Sequence, residues 1–211
     1  YGVDKPDTRF GLEMVDVSDL FEKSDFKVFR SVVENGGIVK SINIKDGASM
    51  SRSQIDALIP FAQEQGAGGL AWIKATVNGL ESSIVKFLDD GCRAAITERM
   101  DAKPGDLLIF VADRKTIVNR ALGALRLKLG EDLNLIDHSK FDILFVTEFP
   151  LFEMDEENKR LTFTHHMFTA PVEEDLKYLE SDPLRIRSRA YDLVINGTEI
   201  VSGSIRIHDH D

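Results

Sequence analysis

The sequence predicts an α+β protein in which a two-layer α/β unit precedes a smaller, incomplete antiparallel sheet. Three observations predict it. Between Phe21 and Asp137, β-branched runs of strand length alternate with stretches that carry one apolar helical face. From Ser139 onward the composition shifts to short segments rich in β-branched and aromatic residues, the last two joined by Asn196-Gly197. The chain has 211 residues, enough for one large domain or two small ones.

The elements follow in order. Residues 1–20 open on turn residues (Gly2, Pro6, Gly11) and then become short and acidic. Ser24–Gly37 ends in a double glycine, and Gly37–Lys45 alternates as a strand. Ser51–Gly66 reads as a helix: Ser51 with Gln54 makes a capping box, Ile55, Leu58, Ile59 and Ala62 share a face, and Gly66 supplies the stop. Pro60 falls inside it, which predicts a kink or a later start. Gly69–Thr76 is a second strand, Val85–Met100 is helical in its later part, and Lys103–Asp113 is a turn leading into a third strand. Arg114–Glu131 is the clearest helix, with Ile117, Val118, Ala121, Leu122, Leu125 and Leu129 on one face and Gly130 as its end. Asp142–Phe149 and Arg160–His166 are strands around an acidic turn, and Pro171–Pro183 is a short helix bounded by prolines. Ile186–Ile207 is a hairpin whose Asn196-Gly197 loop calls for a type I′ turn.

Composition narrows the function classes. Hydrophobic residues make up 43% and charged residues 29%, as in soluble globular chains. No apolar run approaches the roughly 20 residues of a membrane helix. The N-terminus has no basic stretch followed by an apolar one, so it does not read as a signal peptide, and the missing initiator Met points to an excised piece. The single cysteine, Cys92, excludes an internal disulfide and fits a reducing cytosol; beside Asp89 and Asp90 it reads as structural rather than nucleophilic. A net charge of −10 argues against general nucleic-acid affinity and requires any RNA contact to be focused.

The candidate chemistry lies on the hairpin and the strand before it. With Asn196-Gly197 as a two-residue loop, unbroken pairing sets Val194 opposite Glu199 and Asp192 opposite Val201. Asp192 and Glu199 then share a face as diagonal neighbours, about 7–8 Å apart or less. Two carboxylates that close repel unless a cation lies between them. Oxygen ligands with an incomplete shell suit Mg²⁺, which favours a few carboxylates plus nucleotide phosphates. The plainer alternative is a solvated strand face with two ordinary acids. Arg206 follows Ser202-Gly203-Ser204, small residues that let a ligand approach the backbone, and its planar fork suits a carboxylate. Strict alternation puts Arg206 on the face opposite Glu199; a bulge at Gly203 reverses that. Its plainer alternative is a surface salt bridge. His165 and His166, adjacent in a strand, point to opposite faces, so at most one enters a given pocket. His208, Asp209, His210 and Asp211 read as an exposed end rather than as a zinc site, which needs defined geometry and supporting groups.

These segments together resemble the middle of a bacterial-type class II aspartyl-tRNA synthetase over nearly the whole chain. YGVDKPDTRFG resembles the stretch after that family's motif 2. GLAWIK, KPGDLLIFVAD and ALGALRLKLG resemble its inserted GAD domain, and FVTEFPLFE, THHMFTAP and RSRAYDLVINGTE resemble its return to the catalytic sheet. The resemblance implies catalytic-core segments at residues 1–20 and 139–211, before motif 3, and the GAD insertion at 21–138. It implies that Asp192 and Glu199 hold the Mg²⁺ of ATP and that Arg206 binds the side-chain carboxylate of aspartate. His165, His166, Ser202 and Gly203 are then implied to line the amino-acid and adenylate pocket. Aspartate, ATP and tRNA are the implied partners of a cytoplasmic, homodimeric parent enzyme.

Three features bear on that resemblance. Val201, Ser202 and Gly203 stand where bacterial members usually carry three glycines, and the Ser-Gly version is similar to archaeal and eukaryotic members. Met167 replaces the Pro usual after the two histidines. Ile207 follows Arg206 where asparaginyl relatives carry an acid, which fits the aspartyl type. Motifs 1, 2 and 3 and the anticodon-binding barrel are absent, so the piece is expected to be inactive alone. A second reading is a non-catalytic interaction or tRNA-contact module, since a related GAD unit occurs in an archaeal glutamyl-tRNA amidotransferase subunit. The flanking strands discriminate, because they belong to the synthetase.

Overall fold

The computed structural model describes residues 1–155 and 157–208; Asp209, His210 and Asp211 of the chain-end motif lie outside the described residues. Two compact units emerge, one of Tyr1–Val3 with Phe10–Asp137 and one of Asp4–Arg9 with the chain from His138 onward.

The first unit runs β1 (Met14–Asp16), α1 (Ser18–Phe21), α2 (Lys27–Glu34), β2 (Ile38–Ile44), α3 (Arg52–Asp56), α4 (Leu58–Glu64), β3 (Ala71–Thr76), β4 (Gly79–Glu81), α5 (Asp90–Arg99), β5 (Leu107–Asp113) and α6 (Lys115–Asp132). Its strands stand in the order β1-β2-β5-β3-β4, with every neighbour antiparallel. Central β5 is buried from Leu107 to Val111 without a break. A strand apolar at every position needs cover on both sides, and alternate residues supply two cores. Leu107, Ile109 and Val111 pack with Ile42, Leu58, Val118 and Leu122. Leu108 and Phe110 pack with Val39, Ile73, Phe21, Phe29 and Ile96. The α+β class read from the sequence holds, but helices cover both sheet faces, so this unit has three layers rather than two. The unbroken LLIFV run signals cover on both faces but not what supplies it.

Local rules explain the helix ends. Ser51 caps α3 with the expected box: its hydroxyl accepts from the Gln54 N–H (3.3 Å) and Gln54 Oε1 accepts from the Ser51 N–H (2.8 Å). The helical path breaks at Ala57, and Pro60 falls in the first turn of α4, where no N–H is needed. Gly130 does not end α6, which runs on to Asp132. A Cβ there would lie 2.8 Å from the Phe10 ring, so the glycine makes room for an aromatic side chain. Asp89 caps α5 by accepting from the Cys92 N–H at 2.7 Å. Burial first, and then the Asp89 charge, push the Cys92 thiol up, in keeping with a structural role.

The second unit carries β6 (Ile143–Thr147), β7 (Phe152–Asp155), β8 (Arg160–Phe163), β9 (Ala190–Ile195) and β10 (Thr198–Ser204). A three-stranded antiparallel sheet has the order β10-β9-β6, and β7 pairs with β8 alone. Between Pro171 and Pro183 the expected helix is a 3₁₀ run, Glu173–Tyr178. Asn196 (φ 50°) and Gly197 (φ 78°) both take the left-handed region, as a type I′ turn requires.

Candidate functional site

The site is built outward from β9. Ala190, Asp192 and Val194 alternate to the buried side of the sheet, and Asp192 is almost wholly enclosed. Along β10, Glu199 pairs with Val194, but Val201 then pairs with Leu193 and Ser202 with Asp192. Ile200 is therefore an extra residue, a bulge next to Glu199 and not at Gly203. This corrects the unbroken register, in which Asp192 would face Val201.

The bulge decides which side chains meet. Glu199, Ser202 and Ser204 all fall on the face of Asp192, because cross-strand partners share a face. Ser204 Oγ lies 3.5 Å from Thr169 Oγ1, and Thr169 is the bridge partner of Arg206. Arg206 thus follows Ser202 and Ser204 onto the side of the two acids. Its guanidinium lies over the Phe168 ring at 4.6 Å. Among the described residues no carboxylate pairs with it, so the in-plane donors remain open to a ligand.

The histidines correct a second expectation. Strand β8 stops at Phe163, and a turn closed by the Thr169 N–H donating to the His166 carbonyl (3.0 Å) follows. Freed from strand alternation, His165 and His166 both line a cavity of about 440 Å³, together with Ser202, Gly203 and Arg206. His165 meets the Phe149 ring edge-on (5.0 Å), and His166 stacks on Phe168 (4.9 Å). Gly203 is needed at the cavity wall, since a Cβ there would fall 2.6 Å from the Tyr191 ring.

Asp192 and Glu199 do not line that cavity. Between the turn and the sheet centre they meet a cation the sequence reading missed. Lys5 Nζ lies 2.9 Å from Glu199 Oε2. The Glu199 hydrogen bond and charge hold the Lys5 ammonium above the usual lysine range, and the Asp192 charge adds to this. Nothing local in the stretch Asp4–Asp7 marks Lys5 as special; only the tertiary path of residues 4–9 brings it to β10. That path is fixed at Asp7, which is buried, accepts from the Arg9 guanidinium (2.6–3.2 Å), and lies 3.2 Å from where a Gly197 Cβ would stand.

Two carboxylates on one sheet face that already attract a cation are a hard-oxygen donor set with open positions. This fits Mg²⁺, whose remaining ligands would be phosphate and water oxygens. Among the described residues, no group of three or more His, Cys, Asp or Glu forms a closed metal site.

Comparison with known proteins agrees with the architecture. Residues 29–122 match the family model described as GAD domain. The whole chain is similar to the middle region of bacterial aspartate–tRNA ligases. It is 53% identical to the aspartate–tRNA(Asp/Asn) ligase of a Geobacillus species, over all of this chain and 36% of that protein. It is 53% identical to the aspartate–tRNA ligase of Halalkalibacterium halodurans (99% of this chain, 35% of that protein). It is 54% identical to the aspartate–tRNA(Asp/Asn) ligase of Desulfatibacillum aliphaticivorans, with the same coverage. The chain therefore spans about a third of the length of the relatives it matches. The similarity includes the β6–β10 segments on which the candidate site is built. Among the described residues, no helix is long and apolar enough to cross a membrane.

Proposed function

We propose that this chain supplies part of the aspartate-activating centre of a class II aspartate–tRNA ligase. The observation that carries the reading is the β10 bulge, which sets two carboxylates and a guanidinium with no carboxylate partner among the described residues on one face, beside a cavity lined by both histidines. In this reading Asp192 and Glu199 hold the Mg²⁺ of ATP. Arg206 binds the side-chain carboxylate of aspartate with its planar fork. His165, His166, Ser202 and Gly203 line the amino-acid and adenylate pocket. Bound at the acid pair, the cation neutralises charge on the phosphate oxygens.

The remaining chemistry is positional. The aspartate α-carboxylate attacks the ATP α-phosphate in line and pyrophosphate leaves; a hydroxyl of the tRNA terminal ribose then attacks the carbonyl carbon of the aspartyl-adenylate and AMP leaves. Neither step needs a protein nucleophile; both need orientation and charge neutralisation. We assign the activity to the longer cytoplasmic, homodimeric enzyme and not to these 211 residues alone. Residues 1–20 and 139–211 are then catalytic-core segments and 21–138 an insertion. That division follows sequence resemblance and differs from the packing units at residues 1–3, 10–20 and 138.

Steady-state kinetics of a full-length ligase carrying this stretch test the reading. Arg206→Ala leaves the substrate carboxylate without its partner, so kcat/KM for aspartate should fall by an amount equivalent to about 2–5 kcal/mol. Asp192→Asn and Glu199→Gln should instead shift the Mg²⁺ and ATP dependence, since they remove charge at nearly constant size. Near-parental constants in all three variants would refute the assignment.

A further inference from the structure

We propose that the Lys5 ammonium is the resident counter-ion of the Asp192–Glu199 pair and that a divalent cation must displace it to bind. The inference rests on the reading of that acid pair as a cation site.

The geometry separates a fixed stem from a free head. The backbone around Lys5 is held: Pro6 has a fixed φ and restricts Lys5 before it, and Asp7 is locked by Arg9 and seated against the Asn196-Gly197 turn. The side chain is not held. Lys5 is 54% exposed and Glu199 30% exposed across their 2.9 Å contact. An ion pair this open to water is weakly bound. A four-carbon stem lets the ammonium leave while its backbone stays in place.

The placement also resolves an electrostatic problem. Without a cation, two carboxylates on one face would repel and spread the hairpin. With Lys5 present half of that charge is offset and β10 keeps its register. When a divalent cation arrives, it offsets both charges at higher charge density, and the ammonium swings to solvent. The site is thus preformed, at the expense of affinity.

Mn²⁺ serves as the probe, with its binding to the 211-residue chain followed by loss of the free-ion paramagnetic resonance signal. Lys5→Met should bind Mn²⁺ roughly 5-fold tighter than the parent, the scale of an exposed ion pair. Lys5→Arg, which keeps the charge, should stay near parental affinity. Adding Glu199→Gln to Lys5→Met should abolish the gain. Thermal melts accompany each variant, and Lys5→Gln replaces Lys5→Met if the latter melts early. Unchanged or weaker Mn²⁺ binding in the neutral Lys5 variants, with Glu199→Gln still reducing it, overturns the role of Lys5 and leaves the cation site standing. If Glu199→Gln and Asp192→Asn leave Mn²⁺ binding unaltered in the Lys5→Met background, the acid pair is not the site and both readings fall.

Discussion

Asp175 is a single residue on which one stretch of the second unit depends. It is almost wholly enclosed and accepts from the Arg187 backbone N–H (3.0 Å), Nε (2.8 Å) and Nη2 (3.2 Å). These Arg187 bonds hold its carboxyl below the usual range. A carboxyl with a lowered folded-state pKa stabilises the fold above the unfolded value and loses that contribution as pH falls through the folded one. Asp175→Asn should therefore lower the melting temperature of the second unit at neutral pH. The gap from the parent should close as pH falls below the ordinary carboxylate range, near 4. Melts followed by that unit's amide resonances check this; a gap constant with pH would mean that the charge is not the stabilising feature. Residue identities were the most legible level of the sequence. Ser51, Asn196-Gly197 and the acids declare themselves by local chemistry. Lys5 and the shared orientation of the two histidines did not, because both depend on tertiary path.

At the scale of the element, β10 shows where pattern reading stops. The turn type fixed the first pairs, Ile195 with Thr198 and Val194 with Glu199. Beyond Glu199 the register shifts at a β-branched residue, where the sequence carries no bulge signal; glycine, at Gly203, was the only candidate on view. Deleting Ile200 alone should leave an unbroken ladder with Ser202, Ser204 and Arg206 still on the face of Asp192, whereas deleting Ile200 and Val201 together should carry them to the opposite face. That face bears exposed Ile143 and Phe145. The full-length ligase should then lose aspartate affinity about as severely as Arg206→Ala. The Asp192–Glu199 pair, both members of which precede the deletion, should still bind Mn²⁺. Aspartate kinetics and Mn²⁺ titration of the double deletion separate the two effects, and an unchanged KM for aspartate in it would show that the register of β10 does not aim Arg206.

At the scale of the whole molecule, the first unit has what an independent fold needs: two apolar cores around a five-stranded sheet. Residues 10–137 expressed alone should melt in one cooperative transition and give a dispersed amide spectrum. A version starting at Phe21 should melt lower, because it lacks β1 and the Phe10 ring on which Arg126 stacks (4.1 Å). A non-cooperative melt of the longer version would count against an independent core. Helical periodicity made this unit legible, while its number of layers was less so, since a run such as LLIFV shows that a strand is buried but not by what. The interleaving of the two units has a kinetic consequence. Residues 4–9 and the chain from His138 onward build one unit across more than a hundred intervening residues. Closing such a loop in an unfolded chain costs on the order of 4 kcal/mol of entropy. In the folded first unit, Phe10 packs on Gly130 and borders the same cavity as Leu135, so the two ends of the loop already lie together. Folding should therefore run in one order, with the insertion first and the split unit closing on ends held ready for it. Damage to the first unit would then delay the second, and damage to the second would leave the first untouched.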